Sequence, residues 1–144
     1  MRDLISNLGV KIAIPAASYD ADNTPAAIDL RGFDSAVFAI HVGVGGITFS
    51  GSNKVEFKLT HADEDDGDYT AVTAADVQGV ESVGAGGIVK TLNAAHAAAT
   101  VTKVGYIGGK PFAKLLADFT GTHGAATPIG ATVILSHPRT APVA

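Results

Sequence analysis

The densest group of titratable side chains is His61-Ala62-Asp63-Glu64-Asp65-Asp66-Gly67-Asp68. Hard oxygen ligands at that density suit Ca²⁺. An EF-hand loop needs Gly at its sixth position and Glu at its twelfth. Counted from Asp63, these positions hold Asp68 and Ala74, so the motif fails. Residues 63–68 are read instead as a solvated loop whose carboxylates repel one another toward water. The five histidines are His41, His61, His96, His123 and His137. None stands at the His-x-x-x-His spacing that puts two metal ligands on one helical face. His41 falls inside an apolar run and is expected to be a packed, hydrogen-bonded imidazole.

Nucleophilic chemistry has equally little to build on. No Gly-x-Ser-x-Gly elbow positions a serine for a Ser/His/Asp relay. The chain has no cysteine, which removes disulfides, thiolate catalysis and Cys-ligated zinc. Gly43-Val44-Gly45-Gly46 and Gly105-Tyr106-Ile107-Gly108-Gly109-Lys110 resemble phosphate loops only faintly. Neither has Rossmann or Walker spacing, and no amphipathic helix follows to offer its N-terminus, so both are read as strand-end turns. No catalytic, cofactor-binding or metal residue is assigned, no cofactor is expected, and the chain is not read as an enzyme.

The elements that must carry these side chains are short strands. Lys54–His61 alternates Val55, Phe57 and Leu59 with Glu56, Lys58 and Thr60, the pattern of a strand with one wet face. Ala36–Val44 is apolar on both faces, as a central strand covered on both sides would be. Further strands are predicted at Ala27–Leu30, Gly87–Leu92, Thr100–Ile107, Pro111–Phe119 and Ala131–His137. Weak helical turns are predicted at Leu92–Thr100 and Thr73–Val77. Seven to eight short strands punctuated by Gly, Asn and Asp predict an all-β fold, a β-sandwich, jelly roll or compact barrel, over residues 19–137. Residues 1–18 and 138–144 are expected to be extended arms, too apolar for solvated tails and fit to order against a neighbouring subunit.

Composition narrows the partners. The 144 residues carry 10 Lys+Arg against 14 Asp+Glu, a net charge of −4, so nucleic acid is not an expected partner. No apolar run approaches the roughly 18 residues of a membrane span, and Met1-Arg2-Asp3-Leu4-Ile5-Ser6-Asn7 lacks the apolar stretch of a secretory leader. Neither a membrane nor a signal peptide is therefore expected.

Three stretches carry a family resemblance: Ala27-Ile28-Asp29-Leu30-Arg31-Gly32-Phe33-Asp34-Ser35, Asp65-Asp66-Gly67-Asp68-Tyr69-Thr70-Ala71-Val72, and Val104–Lys110. Together they resemble a family of small proteins encoded among the head genes of tailed bacteriophages and prophages, over most of the chain. Pro111-Phe112 departs from the pattern, where a basic or aromatic residue continuing a strand is expected. The resemblance implies a virion structural protein, made in the host bacterial cytoplasm and carried on the capsid surface. Its expected role is decoration or cement: binding the major capsid protein from outside and stabilising capsomer contacts, with copies of itself as a homotrimer. The alternatives are a head–tail connector, neck or tail-tube component, and a carbohydrate- or receptor-binding β-sandwich module. For the last, Tyr19, Tyr69 and Tyr106 without any Trp offer a thin stacking platform. Asp66-Gly67 and Gly108-Gly109 are expected as tight hairpin turns, the second joining strands 100–107 and 111–119.

Overall fold

The computed structural model describes residues 3–143, and within them the chain is all-β. After a 3₁₀ turn at Ile5–Asn7 come ten strands: β1 (Leu8–Tyr19), β2 (Ile28–Asp29), β3 (Phe33–Val42), β4 (Lys54–Ala62), β5 (Thr70–Ala71), β6 (Val77–Gln78), β7 (Ile88–Leu92), β8 (Thr100–Tyr106), β9 (Phe112–Thr120) and β10 (Thr127–Pro138). They form two antiparallel sheets, β1-β10-β3-β8-β6 and β2-β9-β4-β5, with β7 also on β4. β5 and β7 share one side of β4: β5 takes Thr60 and His61, while β7 takes Val55 to Lys58.

The period-two pattern of the sequence becomes the core. Val55, Phe57 and Leu59 of β4 and Ala113, Leu115 and Ala117 of β9 point inward from the second sheet. Phe38 and Ile40 of β3, Val104 of β8 and Val133 and Leu135 of β10 meet them from the first. Fully burying each larger apolar side chain is worth about 1.5–3 kcal/mol.

β2, β3, β4, β7, β8, β9 and β10 fall at or near expected strands, whereas the two-residue strands β5 and β6 match no expected strand. Neither expected helical turn forms; Thr73–Asp76 is instead a turn in which Asp76 Oδ2 accepts from Thr73 N and Thr73 Oγ1, both at 2.7 Å. The larger correction concerns the ends. From Leu8 onward the expected N-terminal arm is a strand of the first sheet, paired along its length with β10. Its partner lies more than a hundred residues away, which local pattern reading cannot see. The chain after β10 also folds back, with Arg139 N donating to Gly32 O and Val143 N to Ser6 O, each at 2.9 Å. Met1, Arg2 and Ala144, parts of the expected arms, lie outside the described residues.

Two turn expectations also change. β4 and β5 do form a hairpin around Asp66-Gly67. Gly67 has no positive φ there; its constraint is closeness, since a Cβ would stand 3.3 Å from Glu64. Gly108-Gly109 is not a hairpin turn, because β8 and β9 belong to different sheets. The glycines carry the chain across the sandwich, and a Cβ on Gly108 would strike the Tyr106 ring at 2.6–2.7 Å.

Candidate functional site

The outer face of the first sheet follows from its register. Val10 stands beside Ile134 and Ile134 beside Val37; in the next row are Ile12, Thr132, Ala39 and Lys103; then Gly130, His41 and Val101. These rows contain no carboxylate, and Lys103 is their only ammonium. Val10 is 65% exposed, Ile12 68% and Val101 59%. A groove of about 600 Å³ opens at one end of this face, walled by Ile12, Ala16, His41, Pro128 and Thr132. Its floor is bare at Gly130, where a Cβ would crowd Ala16 at 3.2 Å. Register shifts in β1 between Ile12 and Ile14 and between Ile14 and Ala17 shape the groove and turn both Ala13 and Ile14 into the core.

The outer face of the second sheet is different in kind. Glu56 lies directly opposite Asp118, and two lysines separate the like charges. Lys54 Nζ binds Glu56 at 2.7 Å and Lys58 Nζ binds Asp118. The Asp118 hydrogen bond raises the Lys58 pKa against the opposing cost of burial. Nearby, Lys114 Nζ sits 3.9 Å above the Tyr69 ring.

The histidines do not converge. His41, expected to be packed, is exposed on the groove wall, because its register puts it on the opposite side of β3 from Ile40 and Val42. The buried histidine is His61, which in the sequence stands at the end of the expected strand Lys54–His61 and the start of an acidic run. It reaches from β4 across to Tyr106 on β8, with Nδ1 and Oη 2.9 Å apart. Tyr106 Oη also accepts from Lys110 N and donates to Lys110 O, both at 3.1 Å. With the tyrosine proton used there, the network assigns the imidazole proton to Nδ1. Burial lowers the His61 pKa, and Lys110 lowers it further, against the opposing pull of Asp76 and Asp63. The pair is a polar clasp between the two sheets.

His96 and His123 flank Phe49, with ring centroids 5.6 and 6.4 Å away, and donate from Nε2 to Gly43 O and Thr120 O. His137 has φ 55, and its Nδ1 lies 2.9 Å from Ser35 Oγ. That contact does not extend into a Ser/His/Asp relay, because Asp34 accepts instead from Arg139 Nε at 2.8 Å. The acidic loop is splayed outward: Asp63 meets Lys110 at 3.5 Å, and its side chain is 79% exposed. Among the described residues no three of His, Asp and Glu stand together as a metal site.

The residues that distinguish the first sheet, Val10, Ile12, Val37 and Ile134, were missed as a group. The signal was present: β3 is apolar on both faces, and β1 alternates Val10, Ile12 and Ile14. The two-sided pattern suits a strand covered by a second layer, whereas no layer covers it among the described residues. No family model, curated protein or solved structure matches this chain.

Proposed function

We propose that this chain is a non-enzymatic structural protein of a tailed-phage head, a decoration or cement protein that sits on the outside of the capsid. In this reading the largely apolar, carboxylate-free outer face of the first sheet turns toward the major capsid protein and holds neighbouring capsomers. The observation that carries it is the contrast between that face and the ion-paired face of the second sheet. Contiguous apolar surface left in water costs about 25 cal/mol per Å² and marks sites of protein contact. The family resemblance points the same way. Its three stretches lead into β3, run through the β4–β5 hairpin of the second sheet, and end β8, so two of the three border the face.

The test is particle-level. Purified heads carrying the chain are expected to hold it in numbers that scale with the capsomers, with the first sheet against the shell in an electron-microscopy map. A single ring's worth of copies at one vertex would overturn the decoration role in favour of a connector.

A further inference from the structure

The margins of the two sheets are closed by unequal means. Along β9, β2 pairs with Phe112 and Ala113, and side chains replace a strand beyond it. Asn23 Nδ2 donates to Leu115 O at 3.3 Å, Asn23 Oδ1 accepts from Ala117 N at 2.7 Å, and Asp22 Oδ1 accepts from Phe119 N at 2.7 Å. Along β4, β5 and β7 divide the margin between them. β8 is covered at Gly105 and Tyr106 by β6, and its open remainder carries the exposed Lys103. Among the described residues β1 has no strand on its far side along all twelve residues.

β1 is itself divided. From Ile12 to Tyr19 it has two register shifts and Pro15, devices that blunt an edge against unwanted pairing. Leu8–Ile12 has neither; it pairs evenly with Ser136–Thr132. Its lysine does not guard the edge, because Lys11 Nζ reaches to the Asp29 carbonyl on the second sheet. Val10 and Ile12 are exposed on its outward face, and Leu4 and Ile5, 64% and 83% exposed, lie just before it.

We infer that Leu8–Ile12 is a strand-pairing edge for a second copy of this chain, the two β1 strands running antiparallel about a two-fold axis through Val10. The segment is self-complementary in that register. Val10 meets its own counterpart, Leu8 faces the counterpart of Ile12, and Lys11 faces the counterpart of Gly9, so no like charges oppose each other. Centring on Lys11 would set two ammoniums face to face, and centring on Gly9 would lose the Leu–Ile match. The joined sheet has ten strands, and the Val10 and Ile12 side chains of both copies extend the row formed by Ile134 and Val37. This contact is a property of the isolated protein and does not depend on the capsid reading.

The experiment is the mass of the full chain in solution, by sedimentation or light scattering over a dilution series. The wild type is expected to move between 14.5 kDa and twice that mass as concentration rises. Val10→Lys and Val10→Glu should each be monomeric, and an equimolar mixture of the two should recover the dimer, because opposite charges then meet at the axis. Val10→Thr should dimerise as the wild type does. Since the chain has no cysteine, Val10→Cys offers one thiol and should oxidise to a cross-linked dimer, while Val101→Cys on the β8 margin should not. A wild type that stays monomeric at every concentration, a trimeric mass, undiminished dimerisation of Val10→Lys, or equal cross-linking at the two cysteines would each overturn the inference.

Discussion

On the outside of the second sheet, Lys54, Glu56, Lys58 and Asp118 form a lattice of alternating charge; on the outside of the first, the corresponding positions hold Val10, Val37, Ile134 and Thr132. Both sheets turn similar residues inward, Phe38, Val133 and Leu135 against Phe57, Leu59 and Leu115, all fully buried. Folding therefore constrains the two sheets alike, and the difference outside lies beyond what folding requires. A charged face keeps the molecule wet and discourages association, whereas a largely apolar β-branched face is the kind of surface that marks a contact site.

The inner faces should prove equivalent when disrupted. Phe38→Ala and Phe57→Ala are each expected to cost about 3–5 kcal/mol, measured by denaturant unfolding. A much smaller loss at one would show that the sheets are not matched inside, and the outer contrast would then need another cause. The outer faces should not be equivalent. Under the proposed capsid role, Ile134→Lys is expected to weaken co-sedimentation with capsids at least tenfold, about 1.4 kcal/mol, while Lys114→Glu leaves it unchanged. Attachment should also survive 1 M salt, where screening over about 3 Å removes ion-pair contributions and leaves apolar ones.

The clasp between the sheets gives a pH signature. His61 has a folded pKa below its ordinary 6.5, so protons bind more readily to the unfolded chain. Stability should be full above pH 6.5 and fall as the pH drops from there through the lowered folded value; the fall should vanish in His61→Gln, followed by thermal melting. Tyr106→Phe removes the hydroxyl that serves both His61 and Lys110 and should cost about 1 kcal/mol. A separate acid step belongs to Asp29, held at about 2 by the Arg31 guanidinium. Its contribution is present above the ordinary 3.8 and lost as the pH falls toward 2. The smallest effect is on the charged face: Lys58→Met should cost at most about 1 kcal/mol, less in high salt.

How much of this was legible in the sequence depended on distance along the chain. β4 could be read residue by residue, because alternating apolar and charged side chains mark both its inner and outer faces. β3 could be placed but not interpreted: apolar residues on two faces describe equally a strand under a second layer and a strand with a bare surface. β1 looks like an arm in the sequence because its partner, β10, lies at the other end of the chain. Removing residues 1–14 should accordingly prevent folding rather than merely shorten a reach, since it takes Ala13 and Ile14 from the core and most of the pairing between β1 and β10. His61 was hidden by its acidic neighbours, since burial is decided by strand register and Tyr106 lies forty-five residues away.

Asn23 and Asp22, standing where a further strand would hydrogen-bond to β9, bear on how such a molecule behaves when crowded. A sheet that can be extended from both sides invites endless stacking and fibres. Here one amide and one carboxylate act as a terminus on the second sheet, so growth by strand addition cannot run through the whole sandwich. Even in concentrated solution, β9 offers no place for a fibril to elongate.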